Sequence, residues 1–265
     1  TGAFKARGAL NKLRSLPDDQ IQRGIVTASG GNHGLAVAYA GWIAGVPTTI
    51  YLGENTPPIK AERLQQWGAQ VVIEGAVWDD ANRAALALAE REGIAYFHPF
   101  ADPFVIAGQG TISLEILEQI PNVDTLIVAI GGGGLISGVS TAAKAIRPKI
   151  KIVGVEPTGA PTLLTSVQCG QVTELAEITS LANTLAPRKT EEINFDLVSQ
   201  HVDEIVLVSD EAMRDAARWL WFELGVAAEL SGSASVAALL SGQYQPAPGE
   251  KVCALVCGAG TDGMN

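Results

Sequence analysis

The sequence predicts an α/β protein of two domains, built from parallel or mixed sheets covered by helices. Three observations carry that prediction. Short apolar or β-branched runs alternate with helical patterns of ten or more residues, the signature of strands buried on both faces. Glycines fall just past the helical runs, where a left-handed C-cap is needed. Apolar residues make up 47% and charged residues 17% of 265, a composition able to bury a sizeable core.

Taken in order, "GIVTAS" precedes the Ala-rich "GNHGLAVAYAGWIAG", and "TTIYLG" precedes "PPIKAERLQQWG". "QVVIEG" leads to "WDDANRAALALAEREG", and "DTLIVAIGGGG" to "LISGVSTAAKAIRP". "KIVGVEP" follows, "EIVLVSD" opens onto "EAMRDAARWLWFELG", and the apolar run "KVCALVCGAG" reads as a closing strand. Ser209 is placed to cap the helix after "EIVLVSD", with acids in its first turn. Gly68 in "WGAQ", Gly93 in "REGI" and Gly225 in "ELGV" are the expected C-caps. The Pro- and aromatic-rich "YFHPFADPFVIAGQG" is the nearest thing to a boundary.

A net charge of −10 argues against nucleic-acid or anionic-membrane partners, so an anion must be held by a local site. No apolar run is long enough to span a bilayer and no signal peptide is visible. Cys253 and Cys257, four apart on a strand, would lie roughly 13 Å from each other, too far for a disulfide. With Cys169 they point to a reducing cytoplasmic setting. His33, His98 and His201 are scattered, which disfavours a zinc site. The chain lacks an initiator Met and opens inside what reads as a functional loop, so a preceding segment is expected.

Gly131, Gly132, Gly133 and Gly134 in "AIGGGGLISG" follow a strand and open a helix. Without Cβ atoms, their N–H groups can converge on an anion at the positive end of the helix. A tight turn needs one or two glycines, so phosphate binding is the better reading. A dinucleotide fold is the rival. Its G-x-G-x-x-G fingerprint fails at Ile136, Ser137 and Ser113, although Glu156 sits where a ribose-binding acid could. In "ASGGNHGLA", Ser29, Gly30, Gly31, Asn32 and His33 form a second anion-friendly helix start, suited to a small carboxylate. Lys5, in "TGAFKARGAL", is a lone candidate for covalent chemistry. A phosphate cradle, a carboxylate pocket and a lysine together suit pyridoxal 5′-phosphate and an amino-acid substrate.

"TGAFKARGA", "SGGNHG", "VIAGQGT", "GGGG" and "CGAGTD", in this order and nearly end to end, resemble the fold-type II pyridoxal-phosphate enzymes. The chain is most similar to the threonine/serine dehydratases and serine racemase. The resemblance implies the tryptophan synthase β-like fold, with a large cofactor-binding domain of residues 1–23 and 103–265. Residues 24–102 would form a small domain carrying the substrate loop. Lys5 would carry the Schiff base, Phe4 would pack beside the cofactor ring, and Asn32 would hydrogen-bond its 3′ oxygen. Gly131 to Gly134 with Leu135 would cradle the phosphate. Cys257 would face the pyridine nitrogen, and Glu229 would lie near the cofactor. Ser29, Gly30, Gly31, Asn32 and His33 would form the substrate loop.

The implied reaction is dehydration and deamination of L-threonine or L-serine to a 2-oxo acid and ammonia, by a homodimer or homotetramer. Other elimination or replacement chemistry of the family, a nicotinamide enzyme and an inert fragment remain alternatives. Serine racemase carries a second Ser where this chain has Gly30, which disfavours racemisation. Of the family's cation ligands, Glu156 and the Ala160 carbonyl fit, but Thr162 replaces the second acid, so no metal is expected. Asn183-Thr184 and Gly260 also depart from the family pattern.

Overall fold

The computed structural model describes residues 1–264. In chain order the elements are α1 (Lys5–Ser15), α2 (Asp18–Arg23), β1 (Ile25–Ala28), α3 (Asn32–Ala44), β2 (Thr48–Leu52), α4 (Pro58–Gln65), β3 (Gln70–Ile73), α5 (Trp78–Glu92) and β4 (Ala95–Tyr96). They continue with α6 (Pro103–Gln119), β5 (Thr125–Ala129), α7 (Gly134–Ile146), β6 (Lys151–Pro157), α8 (Thr162–Cys169), α9 (Glu192–His201), β7 (Glu204–Val208), α10 (Asp210–Leu224), α11 (Ala234–Leu240) and β8 (Val252–Ala254).

The chain divides into two compact units, one of Thr1 and Ala3–Gly108, the other of Gly2 and the residues from Gln109 onward. Each holds one four-stranded sheet, ordered β3-β2-β1-β4 in the first and β7-β6-β5-β8 in the second. Every strand pairing in both sheets is parallel. Beyond them, one isolated antiparallel bridge joins Ala228 to Ala259. Continuous apolar strands under helical crossovers give this result because both sheet faces are buried. β1 and β5 are buried throughout, whereas β3, at an edge, is exposed at both ends.

The first unit holds the opening segment together with β1–β4. Ala9 and Leu13 of α1 are buried against Ile25, Ala36, Val37, Ala40 and Phe97, so the opening segment belongs to the first unit. Burial of that apolar face holds α1 on the first unit. In the second unit, Leu126, Ile127, Ile136, Ile152, Leu163 and Met213 are fully buried around the sheet. The anticipated punctuation is present: Gly68, Gly93 and Gly225 all have φ between 65° and 73°. Ser209 accepts a hydrogen bond from the Ala212 N–H at 3.1 Å. The closing run differs, because β8 ends at Ala254 and Cys257 lies beyond the strand.

Candidate active site

In the first unit, β1 ends at Ala28 and α3 begins at Asn32, so Ser29–Gly31 form the turn expected from the sequence. No side chain caps α3; Ser29 Oγ instead accepts from the Gly31 N–H at 3.3 Å. The first N–H groups of a helix have no intrahelical acceptor, so this turn presents donors suited to a carboxylate. A Cβ on Gly30 would lie 3.1 Å from Thr56 Cγ2 and 3.3 Å from Leu52 Cδ2. A side chain there would be crowded from the α4 side.

His33 has a different task from the one its motif suggests. It is buried, and its Nε2–H donates to the Phe97 carbonyl at 2.9 Å, an acceptor shared with the Thr27 hydroxyl at 2.8 Å. Burial, reinforced by the positive charge of Lys5, pulls its pKa down to about 3, so the ring stays neutral. His33 thus ties the start of α3 to the segment after β4.

That segment, Phe97–Asp102, also receives Lys5. Lys5 Nζ donates to the Pro99 carbonyl at 2.6 Å and lies 5.1 Å from the Phe4 ring centroid. Lys12 Nζ donates to the Tyr96 carbonyl at 2.6 Å and pairs with Asp102, both side chains being largely buried. Asp102 Oδ1 accepts from the N–H groups of Phe104 and Val105, capping α6. His98 was read from the sequence only as a scattered histidine; here it sits amid this network. A histidine directly after an aromatic pair, Tyr96 and Phe97, and just before a proline was the available signal.

In the second unit, the glycine run connects β5 to α7. Gly133 has φ +97°, and a Cβ there would lie 2.8 Å from Leu163 Cδ1 and 2.9 Å from Asn194 Cβ. A Cβ on Gly131 would lie 2.9 Å from the Thr184 carbonyl oxygen. Thr190 Oγ1 donates to the Gly132 carbonyl at 3.0 Å. The loop is therefore pressed against 184–185 at Gly131 and against 163 and 194 at Gly133, and at these two positions a side chain would not fit without displacing its neighbours. No side chain caps α7, although Gly134, Leu135 and Ile136 are buried. A buried helix start without a side-chain cap is a seat for an anion, and this cradle fits a phosphate.

Cys257 is buried and Glu229 half-buried. A Cβ on Gly258 would fall 2.2 Å from Glu229 Oε1, and one on Gly260 2.9 Å from Glu229 Cβ. Gly260 is thus explained by close packing under Glu229. Thr184 Oγ1 donates to Ser231 Oγ at 2.5 Å, fixing the other departure from the family pattern to the turn after Glu229.

Glu156 is fully buried, and both carboxylate oxygens accept backbone N–H groups, from Leu163 at 2.7 Å and Leu164 at 2.8 Å. Burial raises its pKa to about 8 against the opposing pull of these donors. Its oxygens cap α8. Thr162 Oγ1 donates to the Pro187 carbonyl at 2.7 Å. Among the described residues no group of three or more His, Cys, Asp or Glu side chains is arranged to hold a metal. Among the described residues no helix is long and apolar enough to cross a membrane.

The first unit holds a lysine on a backbone carbonyl, and the second, by itself, holds a glycine turn at a helix start with no side-chain cap. Residues 1–258 match the model of the family described as pyridoxal-phosphate dependent enzyme, and the chain belongs to that family. It is 42% identical over 262 residues to the L-threonine ammonia-lyase of Thermotoga maritima, covering 99% of this chain. It is 39% identical over 244 residues to the serine racemase of Oryza sativa subsp. indica, covering 92% of this chain and 72% of that protein. The structure of maize serine racemase superposes with a TM-score of 0.92 at 37% identity, covering 97% of this chain and 79% of that one. The chain spans 65% of the length of the Thermotoga lyase. The cofactor of the family is pyridoxal phosphate, which removes the nicotinamide alternative.

Proposed function

We propose that the chain is an ammonia-lyase that converts L-threonine or L-serine to a 2-oxo acid and ammonia. The observation that carries this reading is Gly30: it offers no group able to move a proton, and Thr56 and Leu52 crowd any side chain placed there. Proton transfer is left to one base, and elimination needs only one. Similarity to a threonine ammonia-lyase at 42% identity supports the same choice over racemisation.

Bound pyridoxal phosphate supplies an electron sink for the negative charge that develops at the substrate Cα. Gly131–Gly134 and the start of α7 would hold its phosphate, Lys5 Nζ would form the covalent link, and Phe4, Asn32, Leu135, Glu229 and Cys257 would line it. The residues Ser29–Asn32 would receive the substrate carboxylate through backbone N–H groups and the Ser29 hydroxyl. Lys5 Nζ, once free of the link, would take the Cα proton as general base. A neutral thiol at Cys257 cannot stabilise a positive charge on the pyridine nitrogen as a carboxylate would. Charge then stays closer to Cα and Cβ, which favours loss of the β-hydroxyl.

The test is a panel of β-hydroxy amino acids with detection of 2-oxo acid, joined to borohydride reduction and peptide mapping. We expect 2-oxo acid from threonine or serine and a label on Lys5. Silence on both amino acids, or a label on another lysine, would overturn the assignment.

A further inference from the structure

We infer that His98 is a positioning residue for Lys5: its imidazole closes the turn that aims the Pro99 carbonyl at the Lys5 amine. The inference rests on the reading of Lys5 as the lysine that bonds the cofactor.

Residues 96–102 use their backbone carbonyls as a row of acceptors. Tyr96 O takes Lys12, Phe97 O takes Thr27 and His33, and Pro99 O takes Lys5. The upstream end is anchored by the Phe97 N–H, which donates to Val26 O at 2.8 Å. The downstream end is anchored by Asp102, through Lys12 and the cap of α6. Between the anchors Pro99 fixes its own φ and has no N–H, so the turn cannot be closed by its own amide.

His98 closes it instead. Its Nδ1 accepts from the Phe100 N–H at 3.3 Å and from the Ala101 N–H at 2.8 Å. A ring nitrogen that accepts two hydrogen bonds carries no proton, so the ring is the neutral Nε2–H tautomer. Burial, with the charge of Lys5 next, pulls the His98 pKa to about 4 and keeps it in that form, while Asp102 opposes and Lys12 adds to the effect. The ring is wedged edge-on against Phe100, with centroids 4.7 Å apart, and against Tyr96 at 6.3 Å. The peptide between His98 and Phe100 is thus held from inside the turn, and its Pro99 oxygen stands 2.6 Å from Lys5 Nζ. The carbonyl takes one N–H of the Lys5 ammonium and so sets the direction of Nζ; a lone pair able to attack a carbonyl or accept a proton appears there once the ammonium has given up a proton.

The experiment compares His98→Asn and His98→Leu with the unchanged protein. Asn can accept the same two N–H groups through its side-chain oxygen, whereas Leu fills space without an acceptor. The cofactor is resolved from the holoenzyme, pyridoxal phosphate is added back, and its capture is followed by absorbance. We expect capture by His98→Leu to slow by about tenfold or more and by His98→Asn to stay within about threefold, as expected for a misplaced reacting group. The pH profile of kcat should move in the Leu variant with KM little changed. Imidazole 15N shifts in the unchanged protein should show Nδ1 without a proton and Nε2 with one. Equal capture rates for Leu and unchanged protein, an Asn variant as slow as Leu, or a proton on Nδ1 would overturn the inference. If the Leu variant does not fold, the Asn variant and the 15N shifts decide alone. A borohydride label away from Lys5 would sink the functional assignment, whereas a label on Lys5 with no difference among variants would sink only the role of His98.

Discussion

Stability should fall as pH rises from about 5 to 8, and Glu156 should be responsible. Its carboxyl is fully buried on β6, and burial raises its pKa to about 8 from an ordinary 4.5. The folded chain therefore holds a proton that the unfolded chain has released over this window. When the native state binds more protons, stability declines with pH, at about 1.4 kcal/mol per pH unit for one group. The contribution is complete below the unfolded pKa and gone above the folded one. Across the window that is on the order of 5 kcal/mol, a large share of the 5–15 kcal/mol that holds a typical domain. Glu156→Gln removes the titration. Its amide oxygen still accepts one N–H of α8, but its NH2 group faces another, a pH-independent loss of roughly 1–3 kcal/mol. Thermal unfolding of both proteins from pH 5 to 8.5 isolates the term, since every other titrating group cancels in the difference. The advantage of the unchanged protein in Tm should shrink by about 3–6 °C per pH unit. Parallel curves would refute the reasoning, because they would mean that Glu156 is ionised in the fold and that the N–H groups outweigh its burial.

Gly133→Ala forces a side chain onto φ +97° and against Leu163 and Asn194, so it should cost roughly 1–3 kcal/mol and weaken binding of pyridoxal phosphate. Unchanged cofactor titration and Tm would contradict the cradle. Gly30→Ser should destabilise by about 1–3 kcal/mol through contact with Thr56, and adding Thr56→Ala should recover most of that loss in urea unfolding. No recovery would show that the crowding is not the cause. Lys12→Met strands the buried Asp102 carboxylate and should cost about 3–5 kcal/mol, with less lost when Asp102→Asn is added; additive losses in the double-mutant cycle would exclude a coupled pair.

Much of this was legible in the sequence, for identifiable reasons. Strand and helix periods, C-cap glycines and the Ser209 cap are local signals, and the glycine run announces its own backbone demand. What stayed hidden depends on contacts distant along the chain and made by backbone groups. Lys5 and Pro99 are 94 positions apart, and no residue type marks a carbonyl that will receive an amine. An isolated acid in an apolar strand looks like a ligand; only the fold reveals that Glu156 faces the start of α8. The apolar face of α1 could have packed on either unit until the site of burial was known. The departures from the family pattern follow the same logic. Gly260 and Thr184 look like lost functional residues in one dimension, yet one makes room for Glu229 and the other bonds Ser231. Backbone carbonyls and close-packed glycines, each within its own unit, tolerate changes of side chain that leave the main chain in place. Substitutions that move the main chain, at Gly133 or at His98, should therefore disturb chemistry more than substitutions at Thr184. Thr184→Val, which keeps the shape and removes the hydroxyl, should cost about 1–3 kcal/mol in stability for the unpaired Ser231 while leaving cofactor capture within about threefold. Loss of capture in that variant would mean that the side-chain hydroxyl, and not the main chain, sets the cradle.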